Sequence, residues 1–123
     1  MISRPLVSVV DDDESIRESL PDLLTELGFA AMTFSSAEQF LLSTHVDETR
    51  CLILDILMPG MSGPELRREL TKRRQTIPVV FITATGDAGS PPSETELGGA
   101  VCLFKPFSDV DLLAALEAAL KVN

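Results

Sequence analysis

Short apolar runs alternate along this chain with stretches whose apolar residues recur every three or four positions. The runs are Leu6 to Val10, Ala30 to Phe34, Cys51 to Leu54, Val79 to Ile82 and Val101 to Phe104. Each has strand length and is bounded by turn or cap residues. The first helical pattern starts near Ser15, with Glu18 three residues on as a capping box. Ile16, Leu20, Leu23, Leu24 and Leu27 form its stripe, and Gly28 stops it. Pro21 falls inside this pattern and removes a bond to the Arg17 carbonyl, which predicts a kink or a break.

The second helix opens with Ser35 and Glu38 as a capping pair and buries Phe40 and Leu41. The third follows the Met58–Gly63 loop, with Ser62 and Glu65 as its capping pair and Pro64 in its first turn. A last helix over Asp109 to Lys121 is capped by Ser108 and faces inward with Leu112, Leu113, Leu116 and Leu120. The stretch between Thr83 and Gly99 is the exception. Ala88-Gly89-Ser90-Pro91-Pro92 delays any helix start, and only Leu97 offers an apolar anchor. A short, irregular helix or a mobile loop is expected there, capped at best by Ser90.

Strands alternating with helices predict a parallel sheet wound on both faces. Crossovers of one hand place every strand's carboxyl end on one edge, where ligands bind in such sheets. The polar residues fall at those ends. Asp11 and Asp12 follow the first strand, Asp55 the third, Thr83 the fourth and Lys105 the fifth. A strand buried on both faces does not readily end in a carboxylate unless that end is a site. Converging carboxylates repel, and a divalent cation with a nearby ammonium is the simplest way to hold them together.

Composition narrows the reading. A length of 123 residues suits one domain over 1–123, and 45% apolar residues supply a core. The net charge of -9 argues against direct nucleic-acid binding. Arg67, Arg68, Lys72, Arg73 and Arg74 read as a solvated helix face that complements the helix C-terminus. Neither Trp nor Tyr is present to stack a base or a flavin. No run reaches the ~18 apolar residues of a membrane span, and the N-terminus lacks a secretory signal, so a soluble, cytoplasmic protein is expected. Cys51 and Cys102 read as free thiols acting as small hydrophobes. His45 is given no role. Asp13 and Glu14 are read as acids of a helix first turn.

Four pieces occur in order: Val9-Val10-Asp11-Asp12-Asp13, then Asp55-Ile56-Leu57-Met58-Pro59-Gly60-Met61-Ser62-Gly63, then Ile82-Thr83-Ala84, then Lys105-Pro106-Phe107. Together they resemble the receiver domains of two-component response regulators. Ser36-Ala37-Glu38-Gln39-Phe40-Leu41 further resembles the FixJ-type branch, whose members usually carry a C-terminal helix-turn-helix DNA-binding domain. The resemblance implies a flavodoxin-like fold, a five-stranded parallel sheet of order 2-1-3-4-5. It implies that Asp55 accepts a phosphoryl group from a phosphohistidine on a sensor histidine kinase. It implies Mg²⁺ held by Asp12, Asp55 and the main-chain carbonyl of Leu57, with Asp11 reaching the ion directly or through water. Lys105 would pair with Asp55 and then with the phosphoryl oxygens, and the Thr83 hydroxyl would turn inward to bond the phosphoryl group. Such a domain is no enzyme beyond catalysing its own phosphorylation and dephosphorylation. Homodimerisation on phosphorylation, and control of transcription through an output domain outside this chain, are further implications.

The chain departs from that pattern in strand 5. Counting back from Lys105 to where an aromatic residue usually couples to the threonine lands on Cys102, and Phe104, one step before Lys105, is expected to point the other way, so the coupling is expected to be missing or to fall to Phe107. Leu57, two after Asp55, is apolar at a position expected to tune water attack on the phosphoaspartate. Three other functions compete. A haloacid-dehalogenase-like phosphotransferase would want an Asp where Leu57 stands. A flavin carrier would want aromatic stacking residues. A receiver-like interaction module that is never phosphorylated would not need the full set of acids and lysine.

Overall fold

The computed structural model describes residues 4–84 and 100–121. The segment between Thr83 and Gly99, expected to hold a short helix or a loop, falls outside the described residues from 85 onward. The elements are β1 (Leu6–Val10), α1 (Glu14–Glu26), β2 (Ala30–Phe34), α2 (Ala37–Leu42), β3 (Thr49–Asp55), α3 (Gly63–Lys72), β4 (Val79–Ala84), β5 (Val101–Lys105) and α4 (Asp109–Lys121). The five strands pair in parallel in the order β2-β1-β3-β4-β5. The doubly wound sheet expected from the alternating pattern is therefore observed, in the flavodoxin-like strand order that the resemblance implies.

Strand alternation sorts the core into two halves, one on each face of the sheet. Val7, Val9, Cys51, Ile53, Val80 and Ile82 pack with Leu20 and Leu24 of α1 and Leu112 and Leu116 of α4. Val10, Leu52, Leu54, Val79 and Phe81 pack with Phe40 of α2 and Leu66 and Leu70 of α3. The central strands read as continuous apolar runs because both of their faces are covered. Ser8 and Thr49 are buried exceptions. Thr49 gives its hydroxyl proton to the His45 carbonyl, so Ser8 donates to Thr49 across 2.7 Å and both are satisfied.

The helix starts differ from the sequence expectation in two places. Asp13, not Ser15, caps α1, its Oδ1 accepting from the Ser15 N–H at 2.9 Å. Its own N–H is held by Asp11 Oδ1 at 2.9 Å, which fixes the extended backbone a cap needs. Ser36, not Ser35, caps α2, and Gln39 reaches back to the Ser35 N–H. Glu38 is thereby released from capping and accepts instead from the Met61 N–H. The third box, Ser62 with Glu65, forms as expected. Nor does α1 break at Pro21. Leu20 and Leu24, buried on either side of it, hold both halves of the helix against the sheet.

Gly63 sets the position of α3 against the end of β3. Its N–H donates to the Ile56 carbonyl at 3.1 Å. A Cβ there would press on the Asp55 carbonyl oxygen, with Ile56 Cα at 3.1 Å and the Asp55 carbonyl carbon at 3.2 Å. Those neighbours are backbone and cannot rotate aside. Gly63→Ala should therefore destabilise the protein by about 2 kcal/mol, the scale of an overpacked core. A urea titration measures it, and an unchanged midpoint would show that α3 can slide off the strand end.

Candidate functional site

The carboxyl ends of β1, β3, β4 and β5 share one edge of the sheet, since all pairings are parallel. Asp11 immediately follows β1, is wholly buried, and has its carbonyl held by Arg17 Nη1 at 2.9 Å. Asp55 closes β3 and is 6% exposed. Asp12 follows Asp11 into solvent. One carboxylate oxygen from each of the three lies within 4.8 Å of the others. Lys105 closes β5 and points its ammonium into this group. Its Nζ stands 2.9 Å from Asp11 Oδ2 and 3.9 Å from both Asp13 Oδ2 and Asp55 Oδ2.

Lys105 does not saturate Asp11. Beyond the 2.9 Å ion pair with Lys105 Nζ, Asp11 Oδ2 has no hydrogen-bond partner among the described residues. A buried carboxylate oxygen with unfilled lone pairs, facing two other carboxylates, is a donor set suited to a hard cation. An octahedral Mg²⁺ holds oxygens at about 2.1 Å, so opposite ligands stand about 4.2 Å apart. The 4.8 Å limit that encloses the three carboxylate oxygens is close to that span. Leu57 lies against the same group. Its N–H donates to Asp55 Oδ1 at 3.4 Å, while its side chain is more than half exposed.

The electrostatics follow from this crowding. Burial, and then the negative charge of Asp11, push the Asp55 carboxyl up from 3.8 to about 7. Asp11 also accepts a hydrogen bond from the protonated form, whereas Lys105 and the Leu57 N–H pull the other way. For Lys105, burial alone would weaken the ammonium, but the contact with Asp11 and the charges of Asp55, Asp11 and Asp13 outweigh it and raise its pKa. Burial likewise pushes the Cys51 thiol up to about 12, as suits a hydrophobe rather than a nucleophile.

Thr83 stands at the same edge, buried, one residue beyond Ile82, which registers with Asp55. Its partner across the β4–β5 pair is Phe104, while Cys102 registers with Phe81. Register partners share a face, so Phe104 lies on the Thr83 side of the sheet and Cys102 packs into the core below it. An aromatic neighbour for Thr83 is thus present, at a position the count from Lys105 passes over. Three further residues, to which the sequence reading assigns no role in the site, reach this edge. They are Arg17 on the Asp11 carbonyl, Asp13 beside Lys105, and Glu38 on the loop after β3.

Comparisons with known proteins identify the family and the fold. The response regulator receiver domain family matches residues 7–117. Nodulation protein W of Bradyrhizobium diazoefficiens is 40% identical over 117 residues, covering 95% of this chain and 52% of that protein. The transcriptional regulatory protein FixJ of Azorhizobium caulinodans is 40% identical over 114 residues, covering 93% of this chain and 54% of that one. Among solved structures, response regulator StyR superposes with a TM-score of 0.87 at 44% identity, covering 98% of this chain and 61% of StyR. FixJ-N superposes with a TM-score of 0.81 at 36% identity, over 98% of this chain and 96% of that one. The chain belongs to the response regulator receiver domain family, and it spans about half the length of the curated relatives it matches. No helix among the described residues is long and apolar enough to cross a membrane.

Because its folded pKa lies above its unfolded one, Asp55 takes up a proton on folding between about pH 4 and 7. Its contribution to stability is full below that window and is lost as the pH rises through it. The melting temperature of the metal-free protein should fall between about pH 5 and 8. Asp55→Asn should remove part of that fall and stand above the parent at the alkaline end. Parallel melting curves for the two proteins would show that the Asp55 charge is not strained in the fold.

Proposed function

We propose that residues 1–123 act as one receiver unit in which Asp55 is the phosphoacceptor. The observation that carries this reading is a buried carboxylate at a strand end, flanked by two further carboxylates and faced by one ammonium. The phosphodonor is a phosphohistidine of a sensor histidine kinase. An Asp55 oxygen forms the new bond to phosphorus as the P–N bond breaks, and the protonated ring departs as neutral imidazole. Phosphoryl transfer asks little more of a protein than in-line positioning and charge neutralisation. Lys105 supplies positive charge to the phosphoryl oxygens on one side. Asp11, Asp12, Asp55 and the Leu57 carbonyl would hold Mg²⁺, which neutralises phosphoryl charge and aligns the donor. Once formed, the phosphoaspartate offers three acceptor oxygens at the buried edge, within the family's expected reach of the Thr83 hydroxyl.

The same groups serve the unit's own dephosphorylation, with Leu57 shielding one approach for water. The apolar cleft of about 230 Å³ between Leu20 and Leu23 of α1 and Pro106 and Phe107 opens beside Lys105, where a kinase presenting its histidine must approach. Transcription is the output to expect, since several relatives are transcriptional regulatory proteins. That output would act through a DNA-binding domain, with the receiver, in the cytoplasm, touching no DNA itself.

Intact-mass measurement after incubation with a small phosphodonor tests the reading. One added phosphoryl group is expected, absent without Mg²⁺ and absent in Asp55→Asn. Lys105→Ala should acquire it about a hundredfold more slowly, as when a preorganised charge is removed from a transition state. A folded protein that gains no mass under any of these conditions is an interaction module rather than a phosphoacceptor.

A further inference from the structure

Asp13 does more than cap a helix. An N-cap needs one side-chain oxygen, and Oδ1 fills that need through the Ser15 N–H. The second oxygen, Oδ2, is turned to Lys105, 3.9 Å from Nζ, and this is the same separation that Nζ keeps from Asp55 Oδ2. Asn or Ser would cap as well as Asp does. A carboxylate at this position therefore brings one property that capping does not require, a negative charge beside the lysine.

Resting on the reading that Asp55 accepts a phosphoryl group, we propose that Asp13 is a positioning residue that slows phosphoryl acquisition by competing with Asp55 for the Lys105 ammonium. In the resting protein Nζ is closest to Asp11 and stands 3.9 Å from both Asp13 and Asp55, so part of its attraction is drawn to Asp13 as well as to the more buried Asp55. For Lys105 to stabilise a phosphoryl group arriving on Asp55, that division must shift. Asp13 opposes the shift, and its charge also repels the incoming anion. Asp13 is 46% exposed, so water screens part of the effect, whereas Lys105 at 17% is held within a narrow range of positions. The restraint is thus modest, a setting of rate rather than a block. It is also independent of the carboxylates that cluster for the cation, because Asp13 contributes no oxygen to that group.

The test compares the parent with Asp13→Asn, which keeps the cap without the charge, and Asp13→Glu, which keeps the charge but not the short capping side chain. Each is brought to saturating Mg²⁺, established by titration, because removing a nearby charge also weakens cation binding. The rate of phosphoryl acquisition from acetyl phosphate is read by intact mass. The apparent affinity for a fluoroberyllate anion, which mimics the phosphoryl group without transfer, is read alongside by NMR. Asp13→Asn should be about threefold faster, the size of a partly screened ion pair, and should bind the anion more tightly in similar proportion. Asp13→Glu should stay near the parent in both readings.

An Asp13→Asn rate equal to or below the parent overturns the proposal. So does acceleration in both variants, which would trace the effect to a loosened helix start. If the parent itself takes up neither phosphoryl group nor fluoroberyllate, the assignment of Asp55 falls, and this proposal falls with it.

Discussion

Like charges crowded at a buried strand end are what the rest of this structure must accommodate. Asp11 and Asp55 cannot both ionise at low cost in a space closed to water, and Lys105 alone does not balance them. The fold supplies the force that keeps them there. Two apolar halves grip the sheet from both faces, and each fully buried leucine or phenylalanine contributes about 1.5–3 kcal/mol. That gain lets an unfavourable cluster persist at the edge, poised for a group that will relieve it.

The local sequence cooperates with the cluster at short range. Asp11 anchors the turn by accepting from the Asp13 N–H, and Arg17 holds the Asp11 carbonyl from one turn inside α1. On the other side, the Leu57 N–H meets Asp55 and Gly63 presses on its backbone. Glu38 reaches from α2 to the same loop beside Gly60, whose φ of +77 suits a residue without a side chain. The Asp55 carboxylate is therefore fixed through its backbone as well as its side chain.

Most of the fold could be read from the chain because strand and helix periods differ and the strands end in conspicuous polar residues. β1 and β2 run over the residues the apolar pattern marks, and the convergence of Asp11, Asp12, Asp55 and Lys105 follows once the strands are parallel. The misread details share one cause. Ser35 with Glu38 and Ser36 with Gln39 both satisfy the capping pattern, and sequence spacing cannot rank them. A contact to Met61, far along the chain, decides between them. Asp13 was equally undecidable, since its second oxygen finds its partner on β5. The sequence around Pro21 shows only its local cost, which burial of Leu20 and Leu24 outweighs.

Asp55 and Lys105 ride on strands of unequal permanence. β3 lies at the centre of the sheet with both neighbours paired, whereas β5 is an edge strand on which every residue is at least partly exposed. Amide exchange should reach β5 through partial openings that leave β3 closed. Each such opening would carry off the ammonium and leave the carboxylates facing one another. Anything that binds those carboxylates acts on the edge strand too, because it changes what β5 loses by leaving. The fraying of one strand and the charge state of another are in this way a single equilibrium, and a change of charge at Asp55 is already felt at the rim of the sheet.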